Sequence, residues 1–365
     1  MTSRERVLAT FGHKEPDRVP AWLGASPEWK RNACRDLGLP DDEALLRYLG
    51  DDFRRVESRY AGPPERSPGE RLDPGATWRS PFGIQRHGYG YGMPLENPLK
   101  DATLDQVHSY PWPDPAWVDV SHIRAAAARW AGEFAVLGGE WSPFWHDATD
   151  LLDFEVMVYQ MYDNPDLVDA VLDHVASYYL EVSRRIFEAA GDAIDIFFIG
   201  NDFGAQAGPM IGPEAFRRFL VPQLRRFVEL GHEFGKLVLL HSDGSLRPIM
   251  EDLIAIGIDG IQSVQPYCAG MELHGLKRDF GSRLTFFGCI DTQRLIESTP
   301  GEARQLTIDT LRTMMPGGGF IASPSHDYLL PETPTENVII MYETIREFGG
   351  YGPTTTFTPA RKAGS

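Results

Sequence analysis

Short, evenly apolar runs separated by stretches of helical periodicity organise this chain. The clearest run is Leu237–Val–Leu–Leu240, which leads directly into the polar cluster His241–Ser–Asp–Gly–Ser245. Four consecutive apolar residues are too few for an amphipathic helix, so the run predicts a strand buried on both faces, as in parallel sheets. Comparable runs predict strands over Ala21–Leu23, Phe53–Glu57, Phe134–Gly139, Ala193–Ile199, Ile258–Val264, Leu284–Phe287 and Gly319–Ala322. Between them lie predicted helices over Arg4–Phe11, Glu43–Leu49 and a segment from near Ser121 to Ala131. After Asn164–Pro165, the residues Leu167, Val168, Val171, Leu172, Val175, Tyr179, Val182 and Ile186 recur at helical spacing and predict one long helix with a buried face. Pro213 opens another helix, while Thr299–Glu302 and Thr333–Glu336 each fit a capping box with proline at the first helical position.

Eight strands alternating with helices predict a (β/α)8 TIM barrel with an N-terminal extension, with an open doubly wound sheet as the alternative. Residues 61–97 are rich in glycine, proline and aromatics, including Pro81–Gly83 and Gly88–Gly92, and predict an inserted group of hairpins and turns. The expected organisation is one domain over residues 1–352, followed by a disordered tail, 353–365.

Composition narrows the function. Of 365 residues, 42% are hydrophobic and 11% aromatic, which excludes a disordered chain. The net charge of −17 argues against nucleic acid or an anionic membrane as main partner. The N-terminal residues lack the apolar core of a signal peptide and no run approaches membrane-spanning length, so a cytoplasmic location is expected. Cys34, Cys268 and Cys289 are scattered and odd in number, which indicates reduced thiols rather than a disulfide framework or a cysteine-rich zinc knuckle. No Gly-x-Gly-x-x-Gly or phosphate-binding lysine loop follows an early strand, which weakens a nucleotide-binding reading.

In parallel α/β folds ligands bind at the carboxyl ends of the strands, and here those ends are unusually polar. Glu140, Trp141 and His146 follow the third predicted strand; Asn201, Asp202 and Gln206 follow the fourth; His241 and Asp243 follow the fifth. Gln262 and Gln265 lie at the sixth, Asp291 and Gln293 after the seventh, and Ser323, Ser325 and His326 after the eighth. Two imidazoles and a carboxylate, from His241, Asp243 and His326, can hold a divalent ion such as zinc with a position left open. The competing reading has the histidines bonded to nearby carbonyls, and Asp243 or Ser245 capping the helix that begins at Leu246. Glu140 and Asp202 are candidates for acid–base work or for holding a cationic or hydrogen-bond-rich substrate, against the commoner role of solvated loop carboxylates. Asp202 stands out because it directly follows a strongly apolar run. Gln206, Trp141, His146, Gln262 and Asp291 are candidate substrate contacts. Cys289 either lines the pocket or fills space in the core.

Several of these stretches resemble the uroporphyrinogen decarboxylase superfamily: Arg4–Glu–Arg–Val–Leu8, Pro16–Asp–Arg–Val–Pro20, His241–Ser–Asp–Gly244, Phe287–Gly–Cys–Ile–Asp291, His326, Leu330–Pro–Glu–Thr–Pro334 and Glu336–Asn–Val338. The resemblance spans nearly the whole chain and implies a (β/α)8 barrel. Members of the superfamily divide between porphyrinogen decarboxylases and corrinoid-linked methyltransferases, so the fold leaves the reaction open. Decarboxylases carry an Arg-Gln-Ala-Gly-Arg signature soon after the first strand to grip the substrate carboxylates. Here Trp22–Leu–Gly–Ala–Ser–Pro–Glu–Trp29 stands in that region, and Glu28 would repel an acidic substrate.

The methyltransferase branch holds zinc with a His-x-Cys motif after the fifth strand and a cysteine after the eighth. His241 matches the first ligand, Asp243 falls where the first cysteine would be, and His326 lies near the second. The resemblance therefore implies zinc or another divalent transition metal on His241, Asp243 and His326. It further implies a small-molecule substrate, a corrinoid carried on a partner protein, and a homodimer as the ordinary assembly. Two alternatives stay open: decarboxylation of a porphyrinogen or other carboxylated pyrrole, with Asp202 stabilising a protonated ring, and a non-catalytic corrinoid- or tetrapyrrole-binding barrel.

Overall fold

Seven of the eight apolar runs form one parallel sheet in a computed structural model that describes residues 1–67, 75–88 and 92–352. The predicted tail, 353–365, and Tyr89, Gly90 and Tyr91 of the glycine–tyrosine motif lie outside the described residues. The strands are β1 (Phe53–Arg55), β2 (Ala135–Gly138), β3 (Ile196–Gly200), β4 (Leu237–His241), β5 (Gly260–Val264), β6 (Thr285–Ile290) and β7 (Phe320–Pro324). They pair in sequence order, each parallel to the next.

The eighth run, Ala21–Leu23, is not a full strand but touches both edges of the sheet. Ala21 bridges Ala322 of β7 in parallel, the Trp22 N–H donates to the Ala322 carbonyl at 3.2 Å, and the Asp52 N–H donates to the Ala21 carbonyl at 2.9 Å. Regular pairing with β1 gives way to carboxylates: Asp52 accepts the Ala21 N–H at 2.8 Å and Asp51 the Leu23 N–H at 2.6 Å. Asp52 is wholly buried and also takes Arg6 at 2.7 Å and Arg18 at 2.8 Å.

Alternation along the strands separates two packing faces. Phe53, Ala135, Leu137, Ile196, Phe198, Leu239, Phe287 and Ile321 face one another in an inner cluster. Helix α1 (Ser3–Phe11) adds Val7 and Phe11 to it, so this helix closes the amino end of the sheet. Intervening residues such as Val136, Phe197, Val238, Leu240 and Phe286 pack outward in the larger core with the helices. Each buried Phe or Leu contributes about 1.5–3 kcal/mol. His241 lies two residues beyond Leu239, on the same inward face, at the opposite end from α1.

Helix α2 (Pro27–Leu37) was not apparent from periodicity. It is set by its caps: Ser26 accepts the Trp29 N–H, proline occupies the first turn, and Gly38 ends it in the left-handed region. The predicted helix over 43–49 is α3 (Asp42–Leu49), while the one expected from near Ser121 is shorter, Ile123–Ala128. Helices α4 (Phe144–Leu152) and α5 (Phe154–Asp163), also unanticipated, precede the long α6 (Pro165–Ala190), whose Val168, Val171, Leu172, Val175 and Val182 are buried at the expected spacing. The capping box at Thr299–Glu302 is present. The one expected at Thr333–Glu336 is not: the final helix, α7 (Thr335–Phe348), starts after Pro334 without a side-chain cap. Thr333 is buried, and its carbonyl instead accepts the Trp29 indole N–H at 2.9 Å.

The insertion contains the expected antiparallel pieces, Thr77–Arg79, Gln85–His87 and Met93–Pro94. Its Arg86 is 1% exposed and reaches Asp147 at 2.8 Å and Asp150 at 2.6 Å on α4. A buried guanidinium between two carboxylates fixes the insertion to the helix that carries His146. Among the described residues, no helix is long and apolar enough to cross a membrane.

Candidate active site

The strand ends opposite α1 open into a cleft of about 1040 Å³, with Glu140, Trp141, His146, Asp202, His241, Asp243 and His326 among its described lining. Its floor is an imidazole surrounded by carboxylates. His241 is buried, with Nδ1 2.5 Å from Gln262 Oε1 and Nε2 3.4 Å from Asp202 Oδ1. With Gln262 accepting the Nδ1 proton, Nε2 is aimed at the carboxylates, where it carries a proton in the charged ring and offers a lone pair to a metal only once that proton is displaced.

Asp202 and Asp243 are brought together by their loops. The Asp243 N–H donates to Asp202 Oδ1 at 2.8 Å, and Ser245 N–H to the Ala205 carbonyl at 2.9 Å. The two backbones touch at Gly204 and Gly244, where an added Cβ would stand 2.6 Å and 2.3 Å from backbone atoms of the other loop. Gly244 also has φ +82°, a region that side chains strain to enter. Asp243 Oδ1 accepts Ser263 Oγ–H and Gln265 Nε2–H, each at 2.8 Å, while Oδ2 lies 2.9 Å from His326 Nε2. Asp243 therefore does not cap a helix; the short turn at Arg247–Ile249 has no side-chain cap.

Neighbouring charges set the protonation of these groups. Burial works against a charged His241, but Asp327, Asp202 and Asp243 outweigh it and push its pKa up to about 10. Burial likewise opposes ionisation of Asp202, and contacts with His146 and His241 prevail, holding its carboxyl well below the usual range. His326 is also raised: partial burial opposes its charged form, and Asp243 and then Asp327 outweigh it.

One donor atom each from Asp202, His241 and Asp243 lies within 4.8 Å of the others, a grouping that could hold a metal ion. One imidazole nitrogen and two carboxylate oxygens suit a divalent ion of intermediate hardness. His326 of the sequence-derived set stands one contact away: its Nδ1 accepts the Tyr328 N–H at 2.9 Å, which leaves the Nε2 proton for Asp243. No cysteine belongs to the group among the described residues. All three are buried; Cys268 donates to Gln265 Oε1 at 3.4 Å, and burial pushes the Cys289 thiol up.

The other sequence-derived residues fall in different places. Trp141 lies beside His241, ring centroids 5.2 Å apart. His146 Nε2 accepts the Asp202 N–H at 3.0 Å, and Glu140 Oε2 accepts Ser58 Oγ–H at 2.7 Å. Gln262 is wholly buried behind His241. Gln206 is exposed, and Asp291 caps the helix Thr292–Glu297 through the N–H groups of Gln293 and Arg294; neither is among the described residues of the cleft wall. Sequence reasoning passed over Asp327, whose Oδ2 is 3.8 Å from His241 Nδ1, although its place beside His326 was a usable signal. It also passed over Arg86, for which spacing gave no cue.

A family model described as uroporphyrinogen decarboxylase matches residues 90–348. Comparison with curated proteins gave no match. Among solved structures, a methyltransferase from Methanosarcina mazei is similar with TM-score 0.65 at 19% identity, covering 95% of this chain and 99% of that one. At that identity the likeness concerns the fold.

Proposed function

Because this chain belongs to the uroporphyrinogen decarboxylase family, we propose that it is a metal-dependent methyltransferase, moving a methyl group between a small molecule and a corrinoid carried on a partner protein. Its sheet is taken as a (β/α)8 barrel closed through Pro20–Leu23, forming one domain over residues 1–352, and its setting as cytoplasmic and homodimeric. The observation that carries the reading is the convergence of Asp202, His241 and Asp243 at the floor of a large cleft. In this reading Asp202, His241 and Asp243 hold a divalent ion, zinc or another transition metal. The ion would supply Lewis acidity toward the group that gives or receives the methyl. Gln262 orients His241, and His326, Ser263 and Gln265 orient Asp243. His146 anchors the Asp202 backbone, while Trp141 and Glu140 form the wall a substrate would meet. The rim carries Met93 at 73% and Phe154 at 39% exposure, apolar surface suited to a partner covering the mouth.

Decarboxylation of a polycarboxylated pyrrole is the weaker reading, since the two guanidiniums of the described wall, Arg55 and Arg86, already pair with Glu57 and with Asp147 and Asp150. The test is incubation with cob(I)alamin and panels of methylated donors, following corrinoid methylation by its visible spectrum. Methylation that is lost in Asp202→Asn supports the proposal. Turnover of uroporphyrinogen at an ordinary enzymatic rate, without methylation, would replace it.

A further inference from the structure

The segment Ala21–Leu23, which touches both edges of the sheet, is held to β1 by two neighbouring carboxylates in different surroundings. Asp52 accepts the Ala21 N–H and is faced by two guanidiniums, Arg6 at 2.7 Å and Arg18 at 2.8 Å. Asp51 is 3% exposed and accepts the Leu23 N–H on Oδ2 at 2.6 Å and the Phe53 N–H on Oδ1 at 2.7 Å. Among the described residues the cation that reaches it is Arg54, whose Nη1 stands 3.5 Å from Oδ1. That guanidinium makes its shorter contacts with Glu43, at 2.7 and 3.0 Å, and with the Phe53 carbonyl at 2.5 Å. The other titratable groups facing Asp51 are Asp52 and, from α7, Tyr342, whose hydroxyl donates to the Trp22 carbonyl at 2.5 Å. Burial outweighs the two N–H donors and Arg54, and pushes the Asp51 pKa up to about 7.

The segment held in this way backs one wall of the cleft. Gly24 lies so close to Asp327 that an added Cβ would stand 2.4 Å from the Asp327 Cα. The Leu329 N–H donates to the Gly24 carbonyl at 3.3 Å, and Ala25 bridges Leu329 in parallel. Asp327 and Tyr328 line the cleft, and Asp327 faces His241 at 3.8 Å and His326 at 3.7 Å. At Gly24 no side chain separates the segment from that wall, so a shift of one backbone is felt by the other.

We propose that Asp51 is a pH-sensitive latch: protonated, it holds Ala21–Ala25 closed and firms the Asp327–Tyr328 wall; ionised, it lets the segment open more readily. Opening hydrates the carboxyl and returns it toward its ordinary 3.8, so between about pH 3.8 and 7 the closed form holds a proton that the open form has lost. Opening is hardest below that window, becomes easier as pH rises through it, and levels off above about pH 7. None of the proposed metal ligands takes part, so the latch stands apart from the methyltransferase reading.

The test is amide hydrogen exchange, followed by mass spectrometry of short peptides at about pH 5.5 and about pH 7.5 and corrected for intrinsic rates. Protein as purified and chelated protein are compared, so that loss of an ion on acidification is not mistaken for the latch. The Leu23 and Leu329 amides should be at least about tenfold better protected at the lower pH. Interior amides of α6 should change less than about twofold, and Asp51→Asn should abolish the difference at Leu23 and Leu329. Leu23 protection that stays level or falls on acidification would overturn the proposal, as would an equal rise in Asp51→Asn or in α6. A rise at Leu23 without one at Leu329 would overturn the link to the cleft. The pH response is read on the unaltered protein, so it decides even if Asp51→Asn folds poorly.

Discussion

Replacing Gln262 with leucine should separate metal affinity from stability. Gln262 is wholly buried, its Oε1 sits 2.5 Å from His241 Nδ1, and its Nε2 has no hydrogen-bond partner among the described residues. Leucine removes that unsatisfied donor, worth about 1–3 kcal/mol, but leaves the His241 Nδ1–H without an acceptor at a similar cost. The two effects oppose each other, so the stability of metal-free protein should change by less than about 1 kcal/mol. Metal binding feels only the loss, because the ring is no longer held in the tautomer and orientation that aims Nε2 at Asp202 and Asp243. Losing such an orienting contact typically costs 10- to 100-fold in affinity, roughly 1.4–2.7 kcal/mol. Chelator competition would give the affinity and urea unfolding of chelated protein the stability. Affinity unchanged within about twofold would refute the role assigned to Gln262, as would a large destabilisation accompanied by unchanged affinity.

Other expectations follow from particular contacts. Gly204→Ala places a Cβ 2.6 Å from the Asp243 loop, so it should force Asp202 and Asp243 apart and lower metal affinity at least about tenfold; chelator competition reads it. Asp52→Asn leaves Arg6 and Arg18 without their shared buried carboxylate and should destabilise by about 3–5 kcal/mol in urea unfolding. The metal-free protein should lose stability with rising pH. His241 has a folded pKa near 10 against 6.5 unperturbed, so the native state holds the extra proton. Its contribution is full below about pH 6.5 and is lost as pH climbs toward 10, up to about 5 kcal/mol. Urea unfolding at pH 6 and pH 9 measures it, and an equal loss in His241→Gln would assign the effect elsewhere.

The strands were legible because each is a short apolar run ending in polar residues, as Leu237–His241 shows. Seven runs appear as strands, while Ala21–Leu23 was only half legible. Its pairing depends on Asp51 and Asp52, thirty residues away, which no local pattern announces. Helix α2 was missed because its identity lies in Ser26, Pro27 and Gly38 rather than in a repeating apolar face. At the candidate site, sequence pointed to His241, Asp243 and Asp202 because each follows a strand. Which residues touch was not legible: the Gly204–Gly244 contact draws Asp202 into the group, and Tyr328 N–H turns His326 toward Asp243. The pairing of Arg86 with Asp150 was hidden too, since the insertion brings them together from more than sixty residues apart.

The most direct measurement is elemental analysis of purified protein, before and after mild chelation, beside His241→Ala. Near-stoichiometric zinc or another divalent transition metal, removed by chelation and missing from the variant, is the expected result. A folded His241→Ala protein that retains a full equivalent of metal, or unaltered protein that takes up none when metal is supplied, would contradict the site on which the account depends.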